Sequence, residues 1–297
     1  MSVRPIDLPE LRAELVQQLA SPALLWFFEG RARGAIYTGW DPVAVRDLEL
    51  KSLRDADLFF IAQPMADLAL ESAKSLPRFR LAPEDLPSKR GFAYLGSGAF
   101  QAVDSVQPAA AVHWAEHGQE VIFSLYADTA LMVRSLLATG GCTPDQAEAH
   151  RRLVGKLSPM AFEARIPYGL TDDEVVDGAV GDDDLLIRAF RSAWLLMQQP
   201  LAEASDVEPD RATTKRLRRA GHEPRPVRVI QLRRPKDAGE PGDGSRDYHH
   251  QWIVRGHWRN HWHPKRQVHR PVWIAPHVKG PEGAPMIGGE KVYEWKR

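Results

Sequence analysis

The residues from Gln251 to His263 alternate between two kinds of side chain at every second position. The even positions are mostly apolar or aromatic, and they are Trp252, Val254, Gly256, Trp258 and Trp262. The odd positions are mostly cationic or titratable, and they are Gln251, Ile253, Arg255, His257, Arg259 and His261. Because successive side chains of a strand point to opposite faces, the alternation predicts a strand of an antiparallel sheet with one covered and one open face. Gly256 in the middle of this strand predicts a bulge or a close approach by another part of the chain.

Other segments predict both strands and helices. Residues 271–278 are rich in β-forming side chains and are punctuated by Pro271 and Pro276, and residues 227–233 form a further apolar run. Three helix starts carry a capping side chain followed three residues later by Glu or Gln, at Asp7, Thr143 and Thr171. We therefore predict an α+β protein of mixed helices and short strands. Its C-terminal antiparallel sheet is expected to contain 227–233, 250–260 and 271–278.

The charge of the chain is distributed unevenly, although its formal net charge is zero. From Arg211 to the end there are 20 Lys and Arg against 8 Asp and Glu, and the preceding residues carry the opposite excess. This asymmetry predicts an acidic α+β body at 1–205 and a basic, His/Trp-rich antiparallel β module at 206–297. A basic surface of this kind is typical of proteins that bind anionic partners such as nucleic acid. The alternative is that the two halves neutralise each other internally.

Several classes of protein are disfavoured by the composition. The single cysteine, Cys142, excludes an internal disulfide and favours a reducing compartment. No apolar run is long enough for a transmembrane helix, and the N-terminus does not have the pattern of a signal peptide, so we expect a cytoplasmic protein. The only segment that resembles a phosphate-binding loop contains Gly96 and Gly98, and it is too short to bind phosphate by itself. We predict no cofactor.

Three groups of residues could be metal ligands, and each has a simpler interpretation. His113 and His117 flank a predicted chain reversal, with no carboxylate or cysteine at a ligand spacing. The triplet Asp182–Asp184 precedes a predicted helix, where acidic residues stabilise the first turn. His261 and His263 with His257 also have no nearby carboxylate or cysteine. We therefore predict no metal site.

The segment 235–247 is rich in glycine, proline and charge and has little apolar surface to bury. We expect it to be the most mobile internal loop and the preferred site of limited proteolysis.

The unusual chemistry is concentrated between His249 and His277, which hold seven of the 11 histidines and four of the nine tryptophans. Arginines there could bind phosphates in bidentate fashion, and tryptophans could stack on unpaired bases. The predicted nucleic-acid-binding residues are Arg255, His257, Arg259, His261, Arg266, Arg270, Lys215, Arg216, Arg218 and Arg219. Binding of RNA or single-stranded DNA is the favoured interpretation. One alternative is a metal-independent ribonuclease with His257 and His261 as acid and base. Another is a protein-interaction or host-defence-interference role without catalysis, with the tryptophans in the core and the cations packed on the acidic body.

Two segments of the C-terminal part are Trp252-Ile253-Val254-Arg255-Gly256-His257-Trp258-Arg259 and Arg270-Pro271-Val272-Trp273-Ile274-Ala275-Pro276-His277-Val278-Lys279-Gly280. They resemble a module in uncharacterised proteins of actinobacteria, their phages and plasmids. The likeness is strongest over 185–280. It implies a mobile-element context, in which nucleic-acid binding, toxin-like ribonucleases and interference with host defence are common, and it implies no catalytic residues.

Overall fold

A computed structural model describes residues 3–34, 36–96, 109–170, 184–233, 251–264 and 267–279. The predicted loop 235–247, the capping box at Thr171 and Arg266 lie outside these residues. The described helices are α1 (Leu8–Leu19), α2 (Leu25–Arg33), α3 (Pro42–Asp55), α4 (Gln63–Ala73), α5 (Thr129–Ala138), α6 (Pro144–Val154), α7 (Asp184–Met197) and α8 (Arg211–Arg219). None of them is long and apolar enough to span a bilayer.

The described strands form one large sheet and two small ones. The large sheet contains β1 (Asp57–Ile61), β2 (Arg90–Leu95), β3 (Ala109–His117), β4 (Glu120–Asp128), β5 (Leu157–Pro167), β6 (Ala202–Val207) and β7 (Val227–Leu232). The small sheets contain β8 (Trp252–Val254), β9 (His257–His263), β10 (Val268–Ile274) and β11 (His277–Lys279). Together with the helices these strands confirm the predicted α+β class and the antiparallel pairing at the C-terminal end.

The large sheet is mixed, with the strand order β5-β4-β3-β2-β1-β7-β6. Strand β1 pairs in parallel with β2 and β7, and the other neighbours pair antiparallel. The strand predicted at 227–233 therefore exists as β7, but its predicted place in the C-terminal sheet is wrong. Val227 and Ile230 of β7 belong to the cores on opposite faces of the large sheet. A strand that is covered on both faces fits a central position.

Two layers of helices cover the two faces of the large sheet. Leu58 of β1 packs with α1, α2 and α3, whereas the next residue, Phe59, packs with α4 and α7. This opposition follows from the alternation of side chains along a strand. In the second layer, Trp194 of α7 is 2% exposed and stacks on Phe123 with ring centroids 5.2 Å apart. The C-terminal hairpin packs on this same layer.

The hairpin consists of β9 and β10, paired antiparallel from His257 opposite Ile274 to His263 opposite Val268. The second small sheet pairs β8 with β11. From residue 251 onward, the predicted strand 250–260 is extended but is interrupted at Arg255 and Gly256. A Cβ atom on Gly256 would lie 2.5 Å from Cζ2 of Trp273, so a larger residue there would clash with that ring. This is the close approach that a glycine in mid-strand predicts.

Candidate nucleic-acid interface

Four predicted binding residues occupy odd positions of β9 and of the segment that joins β8 to it. The side chains of Arg255, His257, Arg259 and His261 are all exposed. Within the described ranges, no carboxylate forms an ion pair with Arg255 or Arg259. We call these four residues the cationic row. The row is a place where a polyanion could meet two guanidinium groups that no protein carboxylate neutralises.

The histidines of the row have local contacts. Nδ1 of His257 lies 3.1 Å from the carbonyl oxygen of Arg255, which orients the ring along the strand. The ring of His261 meets the ring of His263 edge-on, with centroids 5.1 Å apart. Among the described residues, no group of three or more His, Cys, Asp or Glu side chains is arranged to hold a metal ion.

The opposite face of the hairpin is covered at one end and open at the other. Trp258 is half-buried, and its indole Nε1 donates a 2.8 Å hydrogen bond to the carbonyl oxygen of Ser72 in α4. Trp273, directly across the pair, is 8% exposed and meets Trp258 edge-on at 5.3 Å. Trp262 is 45% exposed, and its ring lies against that of His269 on the paired strand, with centroids 4.9 Å apart. Trp258 and Trp273 thus anchor the hairpin, and Trp262 leaves an aromatic surface accessible.

Arg270 has an internal partner, unlike the arginines of the row. Its Nη2 atom forms an ion pair with Oδ1 of Asp85, and the two side chains are 13% and 2% exposed. Burial raises the pKa of Asp85 above its ordinary value, although the hydrogen bond from the Ala82 amide and the charge of Arg270 act in the other direction. Arg270 therefore joins the hairpin to the body, and we do not include it in the interface.

The basic cluster on α8 lies apart from the hairpin. Helix α8 packs against α1, whereas the hairpin packs against α4 and α7 in the other layer. Arg216 donates to Oε1 of Glu10 in α1 at 2.5 Å and to Oγ1 of Thr213 at 2.9 Å. The remaining cations of the cluster are exposed, and they are Lys215, Arg218 and Arg219. The structure therefore does not bring the α8 cluster and the cationic row together.

A buried polar chain in the first layer was not predicted from the sequence. Ser52 Oγ lies 3.0 Å from Nε2 of His113, and Nδ1 of His113 lies 3.1 Å from Oε1 of Glu49. All three residues are buried, at 8%, 1% and 5% exposure in that order. Arg31 approaches Oε2 of Glu49 at 3.5 Å, and the Tyr126 hydroxyl donates to Oε1 at 2.5 Å. This arrangement joins a hydroxyl, an imidazole and a carboxylate in one line.

The charges in the buried polar chain are balanced by the residues around it. Burial by itself raises the pKa of Glu49, but its interactions with His113 and Arg31 and the hydrogen bond from Tyr126 outweigh it and hold that pKa well below its ordinary range. Burial and the neighbouring carboxylate raise the pKa of Tyr126 well above its ordinary value. Glu49 is therefore an ionised carboxylate, and Tyr126 remains a hydrogen-bond donor.

Part of the buried polar chain had a detectable signal in the sequence. Glu49 and Ser52 are three residues apart in α3, on the same side of the helix as the buried Val45 and Leu53. Polar residues at core positions of a helix need buried partners. His113 interrupts the apolar strand β3 in the same way. His117, the other histidine considered as a metal ligand with it, is exposed at the end of that strand. The pairing of these segments across the fold has no local sequence signal.

Comparison with protein-family models, with curated proteins and with solved structures finds no match to this chain. Two arrangements of its own residues could support a function, the exposed cationic row and the buried polar chain.

Proposed function

We propose that this protein binds single-stranded nucleic acid, RNA or DNA, through the cationic row and Trp262. The observation that carries the proposal is the exposure of Arg255 and Arg259 with no carboxylate partner in the described part of the chain. Guanidinium groups match phosphate in a bidentate geometry, and the two histidines between and beside them add hydrogen-bond donors. Net positive charge in the C-terminal part of the chain favours encounter with a polyanion.

Trp262 supports a single strand over a duplex. Its ring is 45% exposed, and it lies at the end of the hairpin next to His261 of the row. Unpaired bases stack on exposed aromatic rings, whereas the bases of a duplex are already stacked on each other. Trp262 lies on the face of β9 opposite the row, so a strand that follows the row with its phosphates would reach this ring by passing around β9.

The spacing of the histidines favours binding over hydrolysis. His257 and His261 are four residues apart on β9, so their Cα atoms are separated by about 13 Å. An acid and a base that act on one phosphodiester must both come within hydrogen-bond reach of it. We therefore propose a binder, because this spacing does not favour His257 and His261 as the acid and base of a ribonuclease.

The double variant R255A/R259A is expected to bind a labelled single-stranded oligonucleotide more weakly. Removing two phosphate contacts should also reduce the slope of log affinity against log salt by about 1.4, from roughly 0.7 for each single-strand phosphate. Fluorescence anisotropy at several salt concentrations, with RNA, single-stranded DNA and duplex of the same sequence, measures both quantities. A denaturing gel of the same RNA samples in EDTA should show intact RNA.

The matched control is K215A/R219A, which removes the same charge from α8 in the other layer. This control is expected to keep the wild-type slope. If R255A/R259A retained full affinity and slope while remaining folded, the proposed interface would be wrong. The same conclusion would follow if the two double variants lost equal amounts of affinity.

The tryptophans on one face of β9 should give opposite results. Trp262→Ala is expected to weaken single-strand binding by about 1–3 kcal/mol, the usual effect of losing one base-stacking ring, with the free energy of unfolding unchanged. Trp258→Ala removes a half-buried ring and its hydrogen bond to Ser72, so it should lower the free energy of unfolding by about 2–4 kcal/mol. Urea unfolding and anisotropy on both variants provide the comparison. Unchanged binding by Trp262→Ala would remove base stacking from the proposal.

A further inference from the structure

We propose that Glu49, His113 and Ser52 form a nucleophilic triad that hydrolyses small esters, with Ser52 as the nucleophile. The hydroxyl-to-imidazole distance is 3.0 Å and the imidazole-to-carboxylate distance is 3.1 Å, on opposite ring nitrogens. With the proton on Nδ1, the ring donates to Glu49 and its Nε2 accepts from the Ser52 hydroxyl. A nucleophile that contacts a base, itself oriented by a third group, is the geometry of activated serine.

A cavity gives a substrate access to the reacting atoms. Its volume is about 160 Å³, and both Ser52 and His113 line it. Three other lining residues, Lys51, Arg90 and His117, are exposed, so the cavity reaches the surface. A space of about 150 Å³ accommodates a molecule the size of benzene. The site therefore fits esters with a small acyl group and excludes large ones.

The charges around the triad suit acyl transfer. Glu49 is ionised and fixed by Arg31 and Tyr126, so it can stabilise the imidazolium that forms when His113 accepts a proton. Lys51 and Arg90 line the cavity, where a cation could stabilise a developing oxyanion. Arg90 is also paired with Asp55 at 3.5 Å, which leaves Lys51 as the more available of the two.

The reaction balances with the ester and water alone. Ser52 Oγ attacks the carbonyl carbon, and its proton passes to Nε2 of His113. The tetrahedral intermediate collapses, the bond from the carbonyl carbon to the alcohol oxygen breaks, and the alcohol takes the proton from Nε2. Water then attacks the acyl-Ser52 ester with His113 again as base, which releases the carboxylic acid and restores the serine.

A second serine-histidine pair in the chain supplies a matched control. Nε2 of His150 lies 3.0 Å from Ser158 Oγ, the same distance as in the triad. Among the described residues, however, no carboxylate contacts His150, and burial lowers the pKa of its imidazole. This pair has the first contact of the triad but not the second, so Ser158 should stay unreactive.

The test is covalent labelling of the intact protein with a small alkyl fluorophosphonate, which loses fluoride to an activated serine. We expect one adduct by mass spectrometry, mapped to the peptide that contains Ser52. Ser52→Ala should abolish it, Ser158→Ala should keep it, and His113→Gln should slow it by at least about 100-fold, the usual minimum for loss of a general base. p-Nitrophenyl acetate should give a burst of p-nitrophenol stoichiometric with the wild-type chain and absent in Ser52→Ala.

Peptide mapping of the wild-type adduct needs no variant, so the result stands even if His113→Gln fails to fold. Absence of an adduct at Ser52 in the folded wild-type protein would show that the chain of hydrogen bonds is only structural. An adduct at Ser158 instead, or one that survives Ser52→Ala, would also overturn the proposal. A failure of the labelling test would not count against nucleic-acid binding, because the cationic row lies on the hairpin, on the opposite side of the large sheet from the triad.

Discussion

Glu49→Ala is expected to lower the free energy of unfolding by about 3–5 kcal/mol, the usual cost of removing one partner from a buried ion pair. The variant leaves Arg31, whose side chain is 5% exposed, without the carboxylate 3.5 Å away. It also removes the acceptor of the Tyr126 hydroxyl and the carboxylate next to His113 Nδ1. Urea unfolding followed by circular dichroism measures the change.

The effect of Glu49→Ala should depend on pH. Because the pKa of Glu49 is lower in the folded chain than its ordinary value of 4.5, ionised Glu49 stabilises the fold above that pH. The stabilisation is lost as pH falls further, so the difference between wild type and variant should shrink from about pH 5 toward pH 2. Glu148→Ala is the control, because Glu148 (52% exposed) pairs with Arg152 (78% exposed) on the surface and should contribute less than about 1 kcal/mol. A loss for Glu49→Ala as small as that of the control would show that Glu49 is not essential to the buried chain.

The C-terminal hairpin was predictable because its signal is local. Alternation along β9 placed the exposed Arg259 and the anchoring Trp258 on opposite faces without any knowledge of the neighbouring strands. Alternation also placed Trp262 with Trp258 on one face, and it could not show that Trp258 is half-buried against α4 whereas Trp262 is 45% exposed.

The remaining features depend on contacts between distant parts of the chain. The apolar run of β7 could have joined any sheet, and its pairing with β1 places Val227 and Ile230 in the cores on opposite faces of the large sheet. Glu49 and His113 are separated by 64 residues, and a sequence shows each of them only as an isolated polar residue in an apolar pattern. Arg255 and Arg270 are the same residue type in the same stretch. Only the position of Asp85 distinguishes the exposed Arg255 from the partly buried Arg270.

Arg270→Ala is therefore expected to destabilise the protein, unlike the arginine variants of the cationic row. The variant leaves Asp85, which is 2% exposed, without its counterion, and the loss should be about 3 kcal/mol or more at pH 7. Hydrogen exchange should become faster in β10, including the Trp273 amide that donates to Gln199 Oε1 at 2.9 Å. Arg259→Ala, an exposed substitution on the paired strand, should stay within about 0.5 kcal/mol of wild type.

The loss caused by Arg270→Ala should be partly recovered in acid, opposite to the behaviour of a salt-bridged carboxylate with a lowered pKa. Burial already raises the pKa of Asp85 in the wild type, and loss of the Arg270 charge raises it further. A raised carboxyl pKa means that the folded state binds the proton more tightly than the unfolded state, so falling pH relieves the cost of the buried charge. The difference between Arg270→Ala and wild type should thus be smaller at pH 4 than at pH 7, and adding Asp85→Asn should restore part of the stability at pH 7. An equal difference at both pH values would mean that the charge of Asp85 does not contribute and that Arg270 anchors the hairpin by packing.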